Sequence, residues 1–219
     1  MITGAIFDVD GTLLDSMSIW DTVGEDYLRS IGYRPREDLN EAFKDMSLDQ
    51  AARYYRTEYG VRLSVEEITA GVNAMLEDFY RHKAALKPGA GEFVRALSHC
   101  GVRLCIATAT DRYLVEAALE RCGVLSCFER IFTCGEVGHG KDEPDIFEAA
   151  LRFLGTERSK TVVFEDALYA VQTAKEAGFR VAAVYDIHEK KQAEVRRLTD
   201  LYLENFEQLF GPEFAGHFL

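Results

Sequence analysis

From Lys87-Pro88-Gly89 onward the chain alternates short β-prone runs with amphipathic stretches, a pattern that very few folds satisfy. It predicts a helix near 90–100 ending at Gly101, a strand at 102–107, and a helix at 111–122 ending at Gly123. A short strand follows at 130–133, then a helix at 143–154 with Pro144 in its first turn. A strand at 161–164, a helix at 167–177 ending at Gly178 and a strand at 180–184 complete the series. Strand and helix alternating at this spacing indicate a parallel sheet covered on both faces. One more buried strand, residues 3–8, opens the chain and is cut off from the others by a long helical block. In that block Trp20, Val23, Tyr27 and Ile31 form a stripe that stops at Gly32. Ser64-x-x-Glu67 is a capping box, and Val65, Ile68, Val72, Met75, Leu76, Phe79 and Tyr80 behind it form a 3.6-period apolar face. The expected class is therefore α/β: a doubly wound parallel sheet from residues 1–15 and 84–219, with an all-helical insertion at 16–83.

Composition narrows the partners. The formal net charge of −12 comes with no Lys/Arg cluster, which argues against nucleic acid. It also means that long-range attraction will not deliver an anionic substrate, so any positive potential must be local. No basic region followed by a long apolar run opens the sequence, and nowhere are there 18 consecutive apolar residues, so no membrane association and a cytoplasmic location are expected. Cys100, Cys105, Cys122, Cys127 and Cys134 are odd in number and scattered, and they read as reduced thiols. Oligomeric state, monomer or dimer, is not encoded in any pattern found here.

The first strand ends in Asp8-Val9-Asp10-Gly11-Thr12, with two carboxylates two residues apart. Two unit charges ~5 Å apart repel by roughly 3 kcal/mol at an effective dielectric of about 20. A divalent cation with hard oxygen ligands offsets that naturally; a plain turn, with Asp8 capping a helix, is the alternative. In a doubly wound sheet, function gathers at the carboxyl ends of the strands. Those ends carry Asp8 and Asp10, then Thr108, then the Gly140-Lys141 loop, then Glu165-Asp166.

Taken together, the set reads as a phosphoryl-transfer site. Asp8 is the nucleophile, forming an aspartyl phosphate. Asp10 protonates the leaving oxygen and later deprotonates water. Asp166 and Glu165 hold Mg²⁺ together with Asp8 and the backbone carbonyl of Asp10. Lys141 and Thr108 bind the non-bridging phosphate oxygens, assisted by backbone N–H groups near Ala109 at a helix N-terminus.

These residues resemble the four ordered motifs of the haloacid dehalogenase superfamily: Asp8-Val9-Asp10-Gly11-Thr12, Thr108 after Leu104-Cys105-Ile106-Ala107, Lys141, and Glu165-Asp166. The stretch Lys141-Asp142-Glu143-Pro144-Asp145-Ile146-Phe147 is similar to the family's Lys-Pro-x-Pro-Asp-x-Phe, with Asp142 replacing the first proline. The resemblance covers about residues 1–185 and implies a Rossmannoid core with a mobile helical cap inserted after the first motif. Cap residues Trp20, Lys44 and Met46 are then candidates for substrate recognition.

Within that family, Asp10 favours phosphoryl transfer over dehalogenation, and the absence of lysine between Ser16 and Ser30 disfavours phosphonate cleavage. A β-phosphoglucomutase-like sugar phosphomutase is the nearest alternative. It is similar in Glu165-Asp166 and in Lys44-Asp45-Met46-Ser47-Leu48, but the mutases carry a histidine where this chain has Trp20 and an arginine where it has Leu48. The resemblance thus implies a Mg²⁺-dependent phosphatase acting on a small sugar or nucleoside phosphate. A signalling or partner protein that uses the same edge without turnover is the reading from another class. His139, two residues before Lys141, is read as a loop histidine, and His82, His99, His188 and His217 are assigned no role.

Overall fold

The computed structural model describes residues 2–37, 39–43, 46 and 48–210. Lys44 and His217 lie outside the described residues. The chain divides into two compact units, Met1–Ser16 with Ala84–Leu219, and Met17–Lys83.

The first unit begins with β1 (Gly4–Phe7) and a two-residue strand β2 (Leu14–Asp15). The second unit contains α1 (Met17–Ser30), α2 (Leu39–Phe43), α3 (Leu48–Glu58) and α4 (Val65–His82). The first unit then resumes at β3 (Ala85–Leu86), followed by α5 (Ala90–His99), β4 (Arg103–Thr108), α6 (Arg112–Arg121), β5 (Arg130–Thr133) and the single turn α7 (Cys134–Val137). It closes with α8 (Asp145–Leu154), β6 (Thr161–Glu165), α9 (Leu168–Glu176), β7 (Arg180–Val184), α10 (Gln192–Leu198) and β8 (Leu201–Leu203).

Six strands form one parallel sheet in the order β5-β4-β1-β6-β7-β8. The chain lays β4 and β5 on one side of β1 and then crosses to β6, β7 and β8 on the other. The strand order therefore reverses at β1, where such sheets open a crevice beyond their carboxyl ends. Phe7 is in register with Ile106 on one side and Phe164 on the other, so Asp8 emerges between the ends of β4 and β6.

Alternate side chains of the central strands serve opposite faces. Ile6, Cys105 and Val163 join a core with Ile146, Phe147 and Val171 from α8 and α9. On the other face Phe7 stacks on Phe164 at 4.3 Å between ring centroids, and Phe93 from α5 meets both edge-on. The near-continuous apolar runs of these strands are what a sheet buried on both faces requires.

Among the described residues, positions 17–83 contain no strand. Ser64 and Glu67 make the capping box of α4, with Glu67 N–H donating to Ser64 Oγ at 3.1 Å and Ser64 N–H to Glu67 Oε2 at 2.7 Å. Val65, Ile68, Val72, Leu76 and Tyr80 form its buried stripe. Tyr55 of α3 lies against Tyr27 of α1 and donates its hydroxyl to the Gly24 carbonyl at 2.6 Å. Gly71 lets the Tyr27 ring pack directly on α4, since a Cβ there would sit 2.4 Å from a ring carbon. The predicted α1 stripe needs one correction: Val23 and Tyr27 are buried, but Trp20 is 42% exposed, because the helix is packed only from its second turn onward.

Several features lie beyond the sequence reading, α10 among them. Leu14–Asp15 pairs antiparallel with Ala85–Leu86, a ribbon at the point where the helical unit leaves and returns. The short helix α7 follows β5 directly. The edge strand β8 extends the sheet past residue 185, held parallel to β7.

Candidate active site

The apolar run of β1 delivers Asp8 to the middle of the carboxyl edge, where its N–H still donates to the Phe164 carbonyl at 2.9 Å. Lys141, carried by the loop between α7 and α8, donates to Asp8 Oδ1 and to Glu165 Oε1, the latter at 2.7 Å. All three side chains are less than a tenth exposed. Glu165 is the last residue of β6, and its other oxygen accepts the N–H groups of Asp166 (2.9 Å) and Ala167 (3.1 Å), closing the turn into α9. Asp166 Oδ1 accepts the Thr12 hydroxyl at 2.9 Å.

This leaves three buried carboxylates around one ammonium. Burial alone would lower the Lys141 pKa, but Asp8 and Glu165 outweigh it and hold it raised. Burial, aided by the charges of Glu165 and Asp8, pushes the Asp166 carboxyl well above its usual range. Glu165 is also raised by burial, with Lys141 opposing the shift. The cluster is short of positive charge.

The same geometry suits a cation. Asp8, Glu165 and Asp166 each offer one carboxylate oxygen, all within 4.8 Å of one another. Asp8 Oδ2 is buried without a hydrogen-bond partner. An orphaned anionic oxygen costs more than a neutral one, and hard oxygen ligands in such a set suit a small divalent ion.

Asp10 is held differently. Its Oδ1 accepts the Ser16 hydroxyl at 2.5 Å and its Oδ2 the Thr110 hydroxyl at 2.6 Å. Thr108, fully buried at the end of β4, accepts the Thr110 N–H on its own hydroxyl at 3.0 Å. Ala109 between them is exposed. The structure thus brings together Asp8, Lys141, Glu165 and Asp166 directly, and links Asp10 to Thr108 through Thr110. Trp20 and Met46 belong to the helical unit. His139 sits on an exposed loop with Nδ1 3.3 Å from Asp145 Oδ2.

Thr12, Ser16 and Thr110 were not singled out from sequence. Thr12 closes the first motif without having been given a role, and Thr110 lies two residues past Thr108; Ser16 is marked only by closing the first unit before the helices begin.

A family model, haloacid dehalogenase-like hydrolase, matches residues 5–184. The chain is 34% identical over 193 residues to (DL)-glycerol-3-phosphatase 1, mitochondrial, of Arabidopsis thaliana, covering 84% of this chain and 64% of that one. It is 31% identical over 191 residues to a probable pseudouridine-5'-phosphatase of Drosophila melanogaster, covering 84% and 82%. The crystal structure of CbbY from Rhodobacter sphaeroides in complex with phosphate superposes with a TM-score of 0.79 at 25% identity, over 98% of this chain and 99% of that one. Fold, edge cluster and relatives agree: the chain belongs to the haloacid dehalogenase-like hydrolases. The two relatives are named as phosphatases, and the chain spans about two thirds of the first and most of the second.

Proposed function

We propose that the protein is a Mg²⁺-dependent phosphatase that hydrolyses a small sugar or nucleoside phosphate through an aspartyl phosphate on Asp8. The observation that carries this reading is the state of the Asp8 carboxylate. One oxygen is neutralised by Lys141, while the other is buried without a partner at the reversal point of the sheet.

Asp8 Oδ2 attacks phosphorus, and the bond from phosphorus to the leaving oxygen breaks. That oxygen takes a proton from the Asp10 carboxyl, leaving as an alcohol. Water then gives a proton back to Asp10 and attacks phosphorus; the phosphorus–Asp8 bond breaks, freeing inorganic phosphate and the Asp8 carboxylate. Lys141, Thr108 and the backbone near Ala109 bind the non-bridging oxygens. Asp10 must exchange one of its hydroxyl partners, Ser16 or Thr110, for the substrate oxygen, so those two hydroxyls hold it in readiness.

Asp8, Glu165, Asp166 and the Asp10 carbonyl would hold Mg²⁺, whose contribution is to neutralise charge on the phosphoryl group and the carboxylates. In this reading the helical unit, expected at 16–83 and bounded at Met17–Lys83, is a cap that excludes water over the substrate. Trp20, Lys44 and Met46 are its contributions to recognition. A cytoplasmic setting, where five free cysteines stay reduced, belongs to the same reading.

The names of the relatives support a small phosphate monoester as substrate. The test is phosphate release from a panel of phosphorylated sugars and nucleosides, with Mg²⁺ and with EDTA, including β-glucose 1-phosphate followed for isomerisation. Metal-dependent release is expected. Isomerisation without release would replace the phosphatase by a mutase, and silence across the panel would sink both.

A further inference from the structure

A second buried ion pair lies on the same sheet edge, away from the carboxylate cluster. Lys87 Nζ donates to Asp186 Oδ2 at 2.8 Å and to the Tyr185 carbonyl at 2.6 Å, with both charged side chains at most 9% exposed. Lys87 directly follows β3, and its N–H donates to the Leu13 carbonyl, so it belongs to the ribbon from which the helical unit departs. Asp186 lies two residues beyond β7.

Asp186 in turn organises its loop. Its Oδ1 accepts the His188 N–H at 2.9 Å and contacts His188 Nδ1 at 2.7 Å, and its carbonyl accepts Gln192 Nε2 at 2.6 Å. The loop so closed presents Glu189, whose Oε2 accepts the Leu168 N–H at 2.9 Å and whose Oε1 accepts the Lys191 N–H at 2.7 Å.

The Leu168 N–H is the first of α9, one of the donors no helix can satisfy internally. Ala167 occupies the N-cap position and has no side chain to cap it. Glu189 supplies the acceptor from 21 residues away. The helix start it caps follows Asp166 by two residues.

We propose that Lys87, Asp186 and Glu189 are positioning residues. They form a brace running from the ribbon, through the loop after β7, to the Glu165-Asp166 turn. The brace fixes the turn's carboxylates and so sets the affinity of the site for Mg²⁺; this second part rests on the metal reading above. Buried ion pairs add little stability over apolar pairs of similar volume, so fixing geometry is the better account of this one.

The test uses the full chain, with amide exchange at Leu168 and calorimetric titration with Mg²⁺. In Glu189→Ala and in the double variant Lys87→Met with Asp186→Leu, Leu168 exchange should accelerate about tenfold. Mg²⁺ affinity should fall by about tenfold, as for lost outer-shell support. Glu189→Gln keeps an acceptor and should retain both. The double variant should melt near the wild-type temperature, which separates bracing from bulk stability. Wild-type exchange and Mg²⁺ affinity in Glu189→Ala and the double variant would overturn the proposal. So would a faster exchange spread evenly over the sheet in step with a lowered melting temperature. If Mg²⁺ fails to bind even the wild type, the metal reading falls, and exchange at Leu168 alone decides the brace.

Discussion

In the sheet unit Asp8, Lys141, Glu165 and Asp166 are buried together, whereas in the helical unit Arg29 pairs with Glu25 and Arg81 with Glu77 in the open. Exposed pairs like these contribute well under about 1 kcal/mol each, and their loss is easily absorbed. Three buried carboxylates around a single lysine are a standing cost, and such clusters collect where chemistry needs perturbed charge. The helical unit instead buries aliphatic side chains and tyrosines, among them Leu28, Tyr55, Ile68 and Tyr80. One unit carries a buried charge cluster beside its core and the other is held by packing. Substitutions in the two should therefore fail in different ways.

The largest effect is expected from Asp8→Asn, which removes the proposed nucleophile while keeping the shape. Turnover in a phosphate-release assay should fall to background with the fold intact by circular dichroism; retained turnover would erase the contrast between the units.

Next comes Lys141→Met. It strips from Asp8 and Glu165 the ammonium that pairs with both, and breaking a buried charge cluster from one side costs about 3–5 kcal/mol. Urea denaturation should show that loss, and saturating Mg²⁺ should return part of it by binding the folded state.

In the helical unit, Gly71→Ala forces a methyl against Tyr27 and should cost about 1–3 kcal/mol of overpacking. Ser64→Ala removes the α4 cap, worth about 1 kcal/mol. Melting curves check both. The rate constant of the chemical step, measured on the folded fraction, should stay unchanged in each.

The smallest effect concerns pH. Burial raises the Asp186 carboxyl, but the bonds from Lys87 and from the His188 backbone outweigh it and the net shift is downward. A carboxyl lowered in the folded state contributes stability above its unfolded pKa of about 3.9, and that stability is lost as pH falls through the lower folded value. Asp186→Asn should flatten the acid limb of the stability profile in that window and leave the profile near neutrality parallel to wild type.

Legibility followed the same division. β1 and the two strands beside it announce themselves through Ala-Ile-Phe, Leu-Cys-Ile-Ala and Val-Val-Phe, because a strand buried on both faces has little room for polar residues. Asp8, Glu165 and Asp166 were legible because charges directly after such runs have no packing reason to be there, whereas Lys141, in a loop after Gly138-His139-Gly140, was legible only from its place in the order of motifs. The hydroxyls were not: Thr12, Ser16 and Thr110 are ordinary turn and capping residues until coordinates show Asp166 and Asp10 as their acceptors. His188 was passed over because its partner Asp186 belongs to no motif. The ribbon strands are two residues each and β8 only three, too short for a period-2 pattern to register. Trp20 misled the amphipathic reading because spacing reports a face of a helix but not how far along the helix packing extends.

The measurement closest to the central claim is the intact mass of Asp10→Asn after mixing with Mg²⁺ and a substrate that the wild type hydrolyses. With the proposed nucleophile Asp8 present and the carboxyl proposed to activate water gone, the chain should gain the mass of one phosphoryl group, mapped to Asp8 and absent when Asp8→Asn is added. No mass gain alongside continued phosphate release, or a phosphoryl group on any other residue, would contradict the account.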